Sequence, residues 1–292
     1  MHKLLKRVFF RKSAWEIGIS KCKIADFPAL LLPVYPAISK ADIVEREVAF
    51  VADPFLFQHK GLWYCFFELK DKDKNKGVIA MCQSEDLKNW HYQGVVLEES
   101  YHLSYPFVFT YEDNIYMIPE GGEDHSVKLY KADDTLKKWH YLRTLLDGED
   151  FRDTTLFIKE GIFYFFTSIN ANDNLHLYTA KSLEDQLVAH PQNPLCENNS
   201  KYSRSGGNII EIDDKIYRFA QDCSRRYGEK LHLLEITSLS EKHFSQKHIR
   251  TFLAPDIQKE DWKSRKMHHF SSVKHGNSLI FAIDGEGWES RF

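Results

Sequence analysis

The run Asp53-Pro54-Phe55-Leu56-Phe57, followed by Gly61-Leu62-Trp63-Tyr64-Cys65-Phe66-Phe67-Glu68, decides the fold. It reads as a hairpin with a polar opening, an apolar strand, a tight polar turn, an aromatic strand and a closing acid. The same sixteen-residue grammar returns without gaps from Tyr105, Asp153, Gly206 and His269, at intervals of 52, 48, 53 and 63 residues. Position twelve of the five copies is Tyr64, Tyr116, Tyr164, Tyr217 and Ile280; position sixteen is Glu68, Glu120, Ser168, Gln221 and Asp284. A period near 50 with strands in every unit is the signature of a β-propeller.

A second motif fills the rest of each interval. Val78-Ile79-Ala80-Met81-Cys82 runs through Ser84-Glu85-Asp86-Leu87-Lys88-Asn89-Trp90 into Val95-Val96-Leu97, and Val127-Lys128-Leu129-Tyr130 runs into Leu136-Lys137-Lys138-Trp139. Leu175-His176-Leu177-Tyr178 and Leu231-His232-Leu233-Leu234 open the third and fourth copies. Each unit then holds about four antiparallel strands, and the chain is expected to be an all-β, five-bladed β-propeller. The fifth copy stops short, because eight residues after Asp284 cannot supply two more strands. The alternating Trp15-Glu16-Ile17-Gly18-Ile19 can, so the ring is expected to close through this N-terminal strand. Residues 1–14 read as a basic N-terminal segment and 15–292 as a single propeller domain.

Bulk composition narrows the partners. Aromatic residues make up 14% of the chain, which favours strands. A net charge of −3 offers no field for nucleic acid, so none is expected. Five cysteines, Cys22, Cys65, Cys82, Cys196 and Cys223, are an odd number without a CxxC pair. They point to reduced thiols in a reducing compartment, hence a cytoplasmic protein, and away from a disulfide or zinc framework. The basic start (Lys3, Lys6, Arg7, Arg11, Lys12) is broken too often by charge to be a signal peptide. It reads either as a solvated end or as a peripheral contact with anionic lipid at the inner membrane face.

In a propeller the first strand of each blade starts near the central channel. The openings bring Asp53, His102, Tyr105, Arg152, Asp153, Arg204, His268 and His269 towards one mouth. Such a set suits a sugar, a glycosyl phosphate or a glycolipid, which need directional polar contacts and charge matching. Asp53 and Asp153 are the candidate acid and base, unless each only caps its own turn. Glu120, followed by Gly121-Gly122, is the third candidate carboxylate. Gln221-Asp222-Cys223-Ser224-Arg225-Arg226-Tyr227-Gly228 has no like counterpart in the other units, and Arg225 and Arg226 could grip an anionic group in bidentate fashion. His268-His269 suggests a metal but no matching ligand set is evident, so neither a metal nor any other cofactor is expected.

Several of these segments resemble a known family. Ala52-Asp53-Pro54-Phe55, His102-Leu103-Ser104-Tyr105-Pro106, Ile118-Pro119-Glu120 and the Gln221–Gly228 run look like the propeller domain at the N-terminus of plant glucosamine inositolphosphorylceramide transferases. Bacterial proteins carry similar domains, some attached to formyltransferase-like domains. More distantly, the opening Asp-Pro and the Ser84-to-Trp90 pattern are similar to five-bladed glycoside hydrolases of the furanosidase and mannoside phosphorylase types. The resemblance implies a five-bladed propeller in surface-polysaccharide or glycolipid biosynthesis, acting by glycosyl transfer or glycosyl-phosphate handling. The alternatives are a glycoside hydrolase or phosphorylase, and a non-catalytic glycan-binding module beside a transferase. In the furanosidases an Asp opening the first blade acts as base or nucleophile, which falls on Asp53. A second-blade Asp falls on Tyr105, and the usual third-blade glutamate is missing at Arg152-Asp153.

Overall fold

The computed structural model describes residues 10–170, 172–252 and 261–290. β1 (Phe10–Lys23) precedes the repeats. Blade one is β2 (Val48–His59), β3 (Leu62–Asp71), β4 (Lys76–Ser84) and β5 (His91–Leu97). Blade two is β6 (Ser104–Tyr111), β7 (Asn114–Glu120), β8 (Ser126–Ala132) and β9 (Trp139–Asp147). Blade three is β10 (Arg152–Lys159), β11 (Ile162–Ile169), β12 (Asn174–Ala180) and β13 (Val188–Ala189). Blade four is β14 (Ile210–Ile212), β15 (Lys215–Asp222), β16 (Lys230–Leu239) and β17 (Phe244–Phe252). Blade five holds β18 (Phe270–His275) and β19 (Ser278–Ser290), and its sheet order is β18-β19-β1. The five-bladed, all-β architecture is therefore as the repeats predict.

The gapless copies also give the register. Position five faces position twelve in every blade: Phe57↔Tyr64, Phe109↔Tyr116, Phe157↔Tyr164, Ile210↔Tyr217 and Val273↔Ile280. Two-residue turns set this register. Lys60-Gly61, Glu112-Asp113, Glu160-Gly161 and Asp213-Asp214 all have positive φ at both positions, the twist that suits a tight hairpin.

Closure is as expected, through a longer strand. β1 pairs antiparallel with β19 from Phe10↔Ser290 to Lys23↔Ser278, and Ile38 bridges back to Ile17 on its outer side. Each apolar cluster joins neighbouring blades. Ile17, Ile280 and Ala282 of blade five pack with Val51, Cys65 and Phe67 of blade one. Phe107 and Ile118 of blade two pack with Phe163 and Phe165 of blade three. Truncating one such aromatic to alanine costs about 3–5 kcal/mol, because the flat interface cannot collapse into the void.

Candidate functional site at the propeller axis

The first strands of blades one to three share an irregularity that builds the site. The ladder slips between Ala52 and Phe55, Ser104 and Phe107, and Arg152 and Thr155. Within each bulge the opening residue is left-handed: Asp53 at φ 53°, Tyr105 at φ 45° and Asp153 at φ 49°. A bulge re-aims a side chain, and a left-handed non-glycine costs about 1–2 kcal/mol, so these positions are held by their surroundings. The holding is partly visible. The Asp53 N–H donates to Asp284 Oδ2 at 3.2 Å, and the Tyr105 N–H donates to Asp53 Oδ2 at 3.3 Å. Two openings are thus capped by a carboxylate of the preceding blade in the ring.

All five position-sixteen side chains, Glu68, Glu120, Ser168, Gln221 and Asp284, are buried. Four of them take part in two polar groups and a flank. In the first group the Asp284 carboxylate accepts the backbone N–H of His268 and of His269, both at 3.0 Å on Oδ1. His268 Nδ1 lies 2.5 Å from Asp284 Oδ2 but outside hydrogen-bond alignment. Asp53 Oδ1 stands 3.9 Å from His268 Nε2 and 3.6 Å from His269 Nδ1. Burial opposes a charge on His268, yet the Asp284 carboxylate outweighs it and raises the histidine pKa. Burial would raise Asp284, and His268 more than offsets this, so that carboxyl is lowered.

The second group is an ion-pair network. Arg204 donates from Nε to Asp153 Oδ2 at 2.6 Å and from Nη2 to Glu120 Oε2 at 2.9 Å. Arg152 donates to Glu120 Oε1 at 2.8 Å and contacts Asp150 at 2.6 Å. Gln221 donates from Nε2 both to Asp153 Oδ2 and, at 2.7 Å, to the Ser205 carbonyl. Burial works against the Glu120 charge, but Arg204 and Arg152 outweigh it and hold its pKa down at about 2. Burial pushes Asp153 well up, with the Glu120 charge adding to it and Arg204 opposing. The donors aimed at Asp153 favour its ionised form, so its two influences compete.

The remaining expected residues fall around these groups. Tyr105 is buried, and its hydroxyl meets Thr155 Oγ1 at 2.7 Å, the Gly207 carbonyl at 3.0 Å and the Gly207 N–H at 2.9 Å. It staples blade two to blades three and four. His102 lies on the flank, with Nε2 3.2 Å from Glu68 Oε1, and its Nδ1 accepts the Gly77 N–H at 2.9 Å. Asp222 is turned to His232 Nε2 at 3.0 Å and to Ser224, away from both groups. Arg225 and Arg226 are exposed on the loop after β15. Tyr227, 43% exposed, covers the axial end. Its ring sits edge-on to His268 at 5.2 Å, with the Arg204 guanidinium 5.2 Å from its centroid.

Comparison with known proteins gives the family. Residues 15–286 match the model of the family described as "Glucosamine inositolphosphorylceramide transferase 1, N-terminal". The chain belongs to this family. Glucosamine inositolphosphorylceramide transferase 1 of Oryza sativa subsp. japonica is 31% identical over 247 residues, covering 81% of this chain and 33% of the relative. The Arabidopsis thaliana protein of the same name is 32% identical over 250 residues, covering 81% and 32%. The chain thus spans about a third of the length of these curated relatives. Among solved structures, a Podospora anserina α-L-arabinofuranosidase has a TM-score of 0.61 at 11% identity, covering 82% of this chain and 92% of its own. A family 117 glycoside hydrolase of Zobellia galactanivorans has a TM-score of 0.56 at 12% identity, covering 93% and 90%. These likenesses are in the fold.

For this member of the family, the structure adds residues that sequence reasoning left out. Asp284 joins the first axial group and Glu68 the flank beside His102, and their signal was the shared position sixteen. Trp15 stacks on His268 at 4.3 Å, which follows only once β1 is placed in blade five. Arg218, almost fully buried, donates to the Tyr202 carbonyl at 2.8 Å and to the Ser203 carbonyl, and so fixes the loop that presents Arg204. Burial pushes its pKa down to about 10.

Proposed function

We propose that the propeller holds a sugar phosphate, or the phosphorylated headgroup of a glycolipid, at its Tyr227 face, and that it does so in the service of glycosyl transfer. The observation that carries this reading is the engagement of the acids. Glu120 and Asp153 are both tied to Arg204, whereas glycoside hydrolysis needs two carboxylates available to substrate and water. Asp53 is the candidate carboxylate with an oxygen outside any hydrogen bond among the described residues. Arg152 and Arg204 are neutralised by these carboxylates. The anionic group therefore falls to Arg225 and Arg226, and the sugar ring to the exposed Tyr227. The names of the family and of its curated relatives support a role in glycolipid assembly, which we place in the cytoplasm. A basic N-terminus would keep the protein near lipid, although residues 1–9 lie outside the described residues.

Calorimetric titration with glucosamine 1-phosphate and myo-inositol 1-phosphate tests the reading. Binding of either, weakened at least about tenfold by Arg225→Ala/Arg226→Ala, is expected from the loss of two charge-assisted contacts. Binding that the double variant leaves intact would refute the placement. Release of free sugar from an oligosaccharide would favour the hydrolase instead.

A further inference from the structure

We propose that Asp53, His268 and Asp284 form a site for a divalent transition metal of the Zn²⁺ class, with His269 as a further donor beside Asp53. The inference stands independently of the sugar-phosphate reading.

Asp53 Oδ1 and both ring nitrogens of His269 have no hydrogen-bond partner among the described residues, and both residues are buried. Such groups are rare in folded proteins and ask for an explanation. Asp53 Oδ1 stands 3.9 Å from His268 Nε2 and 3.6 Å from His269 Nδ1, too long for hydrogen bonds. Ligand atoms about 2.0–2.2 Å from one cation stand roughly 3–4 Å from each other, which these spacings match. Among the described residues, Asp53, His268 and Asp284 are the three whose ligand atoms all lie within 4.8 Å of one another.

The ligand side chains are also held from behind. Asp53 Oδ2 is occupied by the Tyr105 N–H, which leaves Oδ1 turned to the histidines. The Asp284 carboxylate binds the backbone N–H of Asp53, His268 and His269, so one side chain fixes the main chain of all three. It also touches His268 Nδ1, the carboxylate–histidine pairing that commonly stands behind a metal-bound imidazole. Trp15 stacked on His268 and Phe55 edge-on to His269 at 4.6 Å restrict ring rotation. Imidazole nitrogen beside carboxylate oxygen suits Zn²⁺, Mn²⁺ or Fe²⁺, whereas Ca²⁺ and Mg²⁺ take oxygen ligands alone. A dication also balances the Asp53 and Asp284 charges.

The test begins with chelator-stripped protein, loaded with Zn²⁺ or Co²⁺, desalted and assayed for metal content. About one ion per folded chain is expected, falling well below that in Asp53→Asn and in His269→Gln. X-ray absorption on the wild-type zinc form covers the case in which a variant misfolds. It should show nitrogen and oxygen neighbours at about 2.0–2.2 Å with imidazole scattering. Failure to retain an ion, equal retention by Asp53→Asn, or retention of Ca²⁺ in preference to Zn²⁺ would each overturn the proposal.

Discussion

Replacing Arg204 with methionine probes the second axial group most sharply. The substitution keeps the length and much of the apolar stem but removes the charge that joins Asp153 to Glu120. Glu120 retains Arg152 at 2.8 Å, while among the described residues Asp153 retains the Gln221 amide, buried at 1% exposure. Breaking a buried pair by removing one partner costs about 3–5 kcal/mol, because the orphaned carboxylate must stay desolvated or take up a proton. For a chain of this size that corresponds to a fall of roughly 6–10 °C in Tm. The assay is urea denaturation at pH 7 and pH 5 for Arg204→Met, Asp153→Asn and the double variant. If the orphaned carboxylate causes the loss, the double variant recovers part of it, and the single variant suffers less at pH 5, where Asp153 can take a proton. A loss below about 1 kcal/mol at pH 7, or a double variant no better than Arg204→Met, would refute the reasoning.

Other expectations follow from single features. The Glu120 pKa of about 2 lies below the unfolded value, so its contribution is present above about pH 5 and lost as pH falls towards 2. The difference is worth about 3 kcal/mol, and Glu120→Gln should flatten the fall of the urea midpoint between pH 5 and pH 3. Gly207 has φ 126°, and a Cβ there would overlap the Phe270 carbonyl of blade five. Gly207→Ala should therefore cost more than about 3 kcal/mol, or abolish folding, by circular dichroism and thermal denaturation. Ile17 is fully buried in the joint between blades five and one. Ile17→Asp should lower stability by more than about 4 kcal/mol in urea, and a wild-type midpoint would contradict closure through β1.

The fold was legible because each blade had to solve the same packing problem. An inner strand, a tight turn and an aromatic strand recur wherever two blades meet, so Phe57 opposite Tyr64 could be read four more times. Closure was legible from a deficit, since blade five lacked strands and Trp15–Ile19 was spare. The site was less so. The openings and position sixteen pointed to the axis, but which acid meets which base depends on ring geometry rather than on spacing. Asp53 and Asp284 lie 231 residues apart, yet one carboxylate accepts the other's N–H. That Arg152 and Arg204 pair with Glu120 and Asp153 was not legible, because these carboxylates sit in other units or behind a bulge. The bulges themselves left no clear mark, since Asp, Tyr and Asp are not the glycines that usually announce positive φ.

The most direct test of the account is a crystal structure of the chain with myo-inositol 1-phosphate or glucosamine 1-phosphate. The account predicts the sugar ring against Tyr227 and the phosphate held by Arg225 and Arg226, with Arg204 still bound to Asp153 and Glu120. A ligand seated elsewhere, or one that displaces Glu120 to pair with Arg152 and Arg204, would contradict it.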